Sequence, residues 1–483
     1  MTDDPHSLCP NFHRCNKYFE LRTIIDRRDE RIGKLEAENA RLRREVERLR
    51  AEAAGGASDK RPKPPFGSST PSSKIPVKPN SDEESRRRRG GRQKGYAGIG
   101  RASFDGTEPG LRESDAWPGE ETCPDCGCPL VEVSEKGRSF QDTDAATAHK
   151  CLVHVHRRMC PRCRRTYAGR PPGVLPRAGL GNRLGAQAIW DMTVAGIPMR
   201  RLARRLGIKY GSLKSFVSYA AHVLEPATDR LLEEFRAALV KHADETTWRC
   251  DGRNGYVWGF FTLLVALYRF RQTRSADVPR EVFGEGPHVG VLDVDRYSAY
   301  PAAWHGRLQY CFEHLKRRCQ DILEAGVADV PSRRALEEML DCLRRAMRLR
   351  RTASADAYGP ESRALRDRMM GLAATKIADG AADGFLDIFR EHPERLFQWV
   401  DHPEVPAENN FAERGVRPLV LARKSCFGSQ SEKGLRTRET LTSVMHTLAL
   451  RHDDPVEVLR KGFDAYARNP TANIADILFP TGV

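Results

Sequence analysis

Three sets of residues have the types and spacings that chemistry needs. The first is a set of carboxylates. Asp244 closes an apolar run in ALVKHADETTWRCDG, and Asp293 and Asp295 alternate along HVGVLDVDRYSAY. An acid on one strand and an acid on its neighbour can share a divalent cation, which offsets their mutual repulsion. Mg²⁺ or Mn²⁺ prefers such oxygen ligands, and a pair of these ions suits phosphoryl transfer. Glu413, in PAENNFAERGVRPLVLARKSCFG, stands beside Arg414 and Arg417, with Arg423 and Lys424 beyond. That places a carboxylate next to a phosphate-binding face. Acids at strand ends are common, so spacing alone marks candidates and not a reaction.

The second set is made of thiols. ETCPDCGCPL supplies Cys123 and Cys126, and RRMCPRCRRTY supplies Cys160 and Cys163. Two CxxC pairs beside Pro or Gly can set four thiolates tetrahedrally around one structural Zn²⁺. The gap between the pairs leaves room for a small sheet. Cys128, Cys151, His154 and His156 are spare candidates, and the alternation near Leu152–Val155 makes the histidines ordinary strand residues.

The third set is cationic. IPMRRLARRLGIKYGSLKSFV fits a helix-turn-helix, with Leu202, Ala203 and Leu206 facing inward, Gly207 ending the first helix and Ile208 packing in the turn. Arg200, Arg201, Arg204, Arg205, Lys209 and Lys214 fall in a window with no acid, as a DNA-binding face requires.

Elements of different kinds must carry these groups. Residues 1–54 hold a heptad pattern, with Ile25, Ile32, Asn39 and Val46 at one core position and Arg28, Leu35, Leu42 and Leu49 at the other. This predicts a coiled coil for self-association. Residues 55–118 turn to Pro, Gly, Ser and charge and read as a disordered basic linker. The zinc ribbon is expected over 119–172 and the helical helix-turn-helix region over 173–235. From 236 to 432 strands alternate with helices, predicting a mixed α/β sheet. There YPAAW reads as a short helix and LQYCFEHL as a further strand. A helical stretch follows at about 320–400, where Leu336, Met339, Leu340, Leu343 and Met347 keep helical spacing. A helical tail closes the chain over 433–483.

The bulk numbers agree. The chain has 483 residues, more than one core usually holds, and a net charge of +15. Such a charge suits a polyanionic partner. No run approaches a membrane span, and the first residues contain no apolar signal core, so no membrane association is expected.

Taken in order, the motifs resemble the insertion sequence 66 family of bacterial DDE transposases. The matching segments are GKLEAENARLRREVERLR, PPFGSSTPSSK, GGRQKGYAG, the double CxxC unit, HADETTWRCDG, VLDVDRYSAY, YCFEHLKRR, ENNFAERGVRPLVLARKS and RETLTSVMHTLALRHDDPVEVL. The resemblance spans almost the whole chain. It implies a ribonuclease-H-like catalytic domain with a helical insertion, and a catalytic triad of Asp244, Asp295 and Glu413 holding Mg²⁺ or Mn²⁺. It further implies an enzyme that binds terminal inverted repeats, cuts DNA at transposon ends and joins it to target DNA. Accessory proteins of the same element, and a cytoplasmic place of action on the nucleoid, belong to the same expectation. Cys311 and His314 match a CxxH element of the family, read as structural or DNA-positioning. Glu408 stands where the family usually has Asp. Asp293 is an extra acid on the same strand face as Asp295, and the choice between them stays open. Two other classes stay open as well: a DNA-binding regulator without catalysis, and a nuclease of the same fold that cuts without joining.

Overall fold

The computed structural model describes residues 104–480, apart from 105, 108–109 and 144–147. The expected coiled coil over 1–54 and the basic arm Arg86–Arg101 lie outside the described residues. Within 104–480, nine strands form two sheets.

The first sheet joins β1 (Arg112–Ala116), β2 (Val131–Thr143), β3 (Ala148–Met159) and β4 (Thr166–Ala168). Strand β3 lies at its centre: β2 and β4 pair with it antiparallel and β1 parallel. Strand β1 corrects the expected linker, which had run to 118. RESDA has a polar sequence with only Ala116 buried, so its backbone ladder with β3 does most to hold it, and pattern could not reveal it.

Three helices follow: α1 (Asn182–Thr193), α2 (Met199–Arg205) and α3 (Tyr210–Ala237). Leu202 and Ala203 are buried in α2, Gly207 takes φ +64° in the turn, and Ile208 is buried beside it. Glycine tolerates that left-handed turn without the clash a Cβ would bring.

The second sheet contains β5 (Val240–Cys250), β6 (Arg253–Phe261), β7 (Ala266–Arg271), β8 (Val291–Val294) and β9 (Arg307–Tyr310). Its order is β7-β6-β5-β8-β9. The first three form an antiparallel meander, and β8 and β9 join in parallel. Short helices α4 (Asp277–Phe283) and α5 (Ala299–Ala303) make the parallel crossovers. The YPAA of YPAAW is thus helical as read, and Trp304 is already extended. LQYCFEHL is not one strand: β9 stops at Tyr310, and α6 (Phe312–Ala325) begins after Cys311. A short apolar run fits either element by periodicity, and the Cys311 N–H, spent on the Val294 carbonyl at 2.9 Å, marks the switch.

Helices α7 (Val330–Thr352), α8 (Ala355–Ala374), α9 (Gly380–Glu391) and α10 (Gln398–Asp401) fill the stretch before Glu413. Leu336, Met339 and Leu343 are fully buried there, on the face the helical spacing marked. The chain ends in α11 (Asn410–Cys426), α12 (Glu432–Arg451), α13 (Pro455–Arg468) and α14 (Ile474–Leu478).

The last helices are not a detached tail. Strand β7 is a sheet edge, and an uncovered edge exposes unpaired N–H groups. Helix α12 covers it. Glu439, Ser443 and Thr447, spaced by four, accept from the N–H groups of Phe270 at 3.1 Å, Tyr268 at 3.0 Å and Ala266 at 3.0 Å. One apolar core runs from Ala116 through α1, α3 and the second sheet to Phe479. The helical region, the sheet and the C-terminal helices therefore share one core, where separate segments had been drawn. Among the described residues no helix is long and apolar enough to cross a membrane.

Candidate active site

The second sheet sets the acids by register. His242 on β5 pairs with Asp293 on β8 in the parallel ladder. Side chains alternate along a strand, so two residues further on Asp244 and Asp295 return to that same face as neighbours. Asp293 is fully buried, whereas Asp295, just past the end of β8, is partly exposed. Helix α11 packs on this face through Ala412, Val416 and Leu419 against Phe261 and Tyr268. Gly415 allows the approach, since a Cβ there would lie 2.5 Å from the Phe261 ring. The Tyr268 hydroxyl donates to the Gly415 carbonyl at 2.8 Å. These contacts bring the first turn of α11, with Glu413, to the middle of β5 and the end of β8.

Electrostatics shows that the three acids share a neighbourhood. Burial, then repulsion from Glu245, Asp295 and Glu413, pushes the Asp244 carboxyl well above the usual carboxylate range. The Glu245 N–H, donating to Asp244 at 2.9 Å, offsets only part of this. Asp295 is likewise raised by burial and by Glu413, against the Tyr297 N–H at 2.9 Å and the Arg274 charge. Glu413 leans towards α6, with Arg317 at 3.4 Å and His314 at 3.8 Å. Among the described residues the three acids do not close to within 4.8 Å as a set; only the four cysteines do. Repulsion among the carboxylates and the pull of Arg317 on Glu413 account for that spacing.

Beneath the acids lies a second polar layer. His242 Nδ1 stands 3.4 Å from Asp293 and 3.1 Å from Asn409 Oδ1. Asn409 Nδ2 donates to the Ala243 carbonyl at 2.7 Å, and its N–H donates to Cys311 Sγ at 3.0 Å. Burial raises Asp293 to about 6, with His242 working the other way. Glu245 faces the opposite side, where it accepts from Tyr300 at 2.5 Å and pairs with Arg274. The sequence reading missed the parts played by His242, Arg274, Arg317 and Asn409. Only Asn409 had a local signal, as the residue that starts the helix of Glu413.

The cysteines meet as expected. Cys123 Sγ lies 3.4 Å from Cys163 and Cys126 Sγ 3.4 Å from Cys160, and all four ligand atoms fall within 4.8 Å. The two turns repeat one geometry. Gly127 and Arg164, each four residues after the first Cys of a pair, donate to that Cys carbonyl and take φ +68° and +62°. Cys128, Cys151, His154 and His156 stay out of the cluster; His156 instead sits between Asp115 at 3.0 Å and Glu132 at 2.9 Å.

The cations divide. Arg200, Arg201, Arg204, Lys209 and Lys214 are exposed on α2 and the start of α3, and Arg205 pairs with Asp191. Arg414, Arg417 and Lys424 are exposed on α11. Arg423 differs: it is partly buried and donates to the Thr247 carbonyl at 2.5 Å, which fixes α11 to β5.

Residues 177–437 match the model of the family described as "Transposase IS66 family", more than half of the chain and all of the second sheet with α11. This chain belongs to the IS66 transposase family. The family segment contains Asp244, Asp295 and Glu413, and the four-cysteine unit precedes it. Two relatives come from Sinorhizobium fredii (strain NBRC 101917 / NGR234). The uncharacterized protein y4qI is 25% identical over 351 residues, 64% of this chain and 64% of that protein. The uncharacterized protein y4jD is 23% identical over 383 residues, 70% of this chain and 73% of that protein. The match thus spans less than two thirds of the length of y4qI.

Proposed function

We propose that this IS66-family chain is a DDE transposase that binds the terminal inverted repeats of an insertion sequence, cuts at each end, and joins the freed 3′-hydroxyl to target DNA. The observation that carries this reading is the meeting of Asp244, Asp295 and Glu413. The middle of β5, the end of β8 and one helix start bring three carboxylates into one neighbourhood, and each of the two aspartates is raised by burial and then by acidic groups around it. Such a set is costly on its own and suits divalent cations. Asp244, Asp295 and Glu413 would hold Mg²⁺ or Mn²⁺, which when bound supplies the charge that activates an attacking oxygen and stabilises a leaving one. The strand order, a three-strand antiparallel meander extended by two parallel strands, supports a ribonuclease-H-like domain.

The remaining parts have assigned tasks. Arg414, Arg417 and Lys424 hold phosphates beside the acids, with Arg423 keeping their helix on β5. Helices α2 and α3 form the helix-turn-helix, and Arg200, Arg201, Arg204, Arg205, Lys209 and Lys214 hold repeat DNA. Cys123, Cys126, Cys160 and Cys163 would hold a structural Zn²⁺, and the closeness of the four thiols fits that ion. Self-association through the first 54 residues pairs two ends, and proteins of the same element assist in the bacterial cytoplasm, at the nucleoid.

The test uses the full chain, DNA carrying both ends of the element that encodes it, a target plasmid, and Mg²⁺ or Mn²⁺. End cleavage with joined products is expected. Binding without cleavage under either cation would make the chain a regulator; cleavage without joining would make it a nuclease.

A further inference from the structure

A cleft of about 490 Å³ separates the loop entering α2 from helix α11. Ile197 and Pro198 form one wall and Leu421 and Ala422 the other, and Arg201, Arg414 and Arg417 also line it. No acidic and no aromatic residue lines it. Among the described residues none of the three arginines is engaged in an ion pair or a side-chain hydrogen bond.

The walls are held together. The Ser425 hydroxyl donates to the Gly196 carbonyl at 3.1 Å. Gly196 has φ +67°, and a Cβ there would lie 3.3 Å from Ala422. The loop therefore presses on the helix at one end of the cleft, and the opening is built into the packing.

This chemistry selects its occupant. Three uncompensated guanidinium groups call for an anion, and phosphate suits their planar forks. Apolar walls call for an apolar body in the same ligand. The volume lies in the range of small-molecule sites, roughly 300–1,000 Å³. A base stacked in a duplex hides its faces, but an unstacked nucleotide offers a phosphate and a free base face together. Arg414 follows Glu413 directly, and Arg417 lies one helical turn beyond it, so the cleft shares the first turns of α11 with Glu413.

We propose that this cleft takes one unstacked nucleotide of the bound DNA end, next to the phosphodiester that is cut, with its phosphates on Arg201, Arg414 and Arg417 and its base between the apolar walls. The proposal rests on the transposase reading, since it needs DNA at the acids. It links the α2 segment, assigned to repeat binding, with the helix of Glu413 through one nucleotide.

The probe is end duplex with 2-aminopurine placed in turn at each position flanking the cleaved bond. Its emission rises when the base unstacks, and a cleft without aromatic rings does not quench it. With the full chain, a several-fold rise is expected at one position. Ala195→Leu narrows the cleft from an exposed loop position without adding a ring that would quench the probe, and Leu421→Glu sets a carboxylate against the arginines from an exposed helix position. Each variant, once circular dichroism shows it folded, should lose the rise and still bind the end. If no position brightens while the same duplex is cleaved, the cleft proposal is overturned and the transposase reading stands. If both folded variants keep the full rise, the nucleotide is elsewhere and the proposal is again overturned. A chain that neither brightens nor cleaves the duplex under Mg²⁺ or Mn²⁺ overturns the transposase reading, and the cleft proposal with it.

Discussion

His242 and Asp293 face each other across the parallel strands β5 and β8, with His242 Nδ1 3.4 Å from the Asp293 carboxylate and both side chains buried. This pair lies one layer beneath Asp244 and Asp295. In the proposed site it favours Asp295 of DVD over Asp293: Asp244 is repelled by Asp295, and Asp293 acts instead on His242, Cys311 and Glu408. Asp293→Asn should therefore lower end cleavage about 10–100-fold, as loss of a supporting group does. Asp295→Asn should remove cleavage altogether. Rates on one end duplex compare the two; equal losses would return Asp293 to the ligand set.

Asn409 joins the strand of Asp244 to the helix of Glu413. Its side chain donates to the Ala243 carbonyl and meets His242, and its N–H meets Cys311. Asn409→Ala would strip two buried groups of their partner. A loss of about 2–3 kcal/mol is expected from denaturant unfolding. End cleavage should fall at a temperature where the variant is still folded, because the distance between two acids is no longer fixed. Unchanged cleavage in a destabilised chain would make Asn409 a fold residue alone.

The fold was legible where one periodicity held over many residues, as in α7 with its buried Leu336, Met339 and Leu343. It was illegible where the stabilising partner is distant. Strand β1 has no apolar pattern and is held mainly by its ladder with β3. The helices of 433–483 looked like a tail because Ser443 and Thr447 read as ordinary polar residues; their value lies in the N–H groups of β7, some 175 residues away or more. The cysteines were legible because each pair is local. For the acids, types and rough positions could be read, and the choice between Asp293 and Asp295 could not. That choice depends on register and depth, which a sequence does not carry.

The cysteine cluster predicts one bound zinc per chain. Cys160→Ser should lower that content and expose residues 119–172 to protease. The second sheet should stay folded, because its face against α11 is packed without any of residues 119–172. Metal analysis with limited proteolysis checks both. Full metal content in the variant would argue against the site.

His446 gives a pH dependence. It sits between the Thr193 carbonyl at 3.3 Å and the Tyr268 hydroxyl at 3.2 Å. Burial lowers it from 6.5 to about 4, against the Thr193 hydrogen bond. The folded chain thus keeps the neutral ring, while the unfolded chain takes up a proton as pH falls through 6.5. The stability is complete above that pH and is lost towards pH 4. Between pH 7.5 and pH 5 the wild type should lose about 2 kcal/mol more than His446→Gln. Parallel unfolding curves would contradict the buried neutral ring.

In the proposed reaction Asp244 works with Asp295 and Glu413 in cutting DNA. The most direct measurement is end cleavage by Asp244→Asn with Mg²⁺ and with Mn²⁺, alongside its affinity for the same end duplex. Unchanged binding and no cleaved strand with either cation are expected. Cleavage at the wild-type rate by a variant that binds normally would contradict that role.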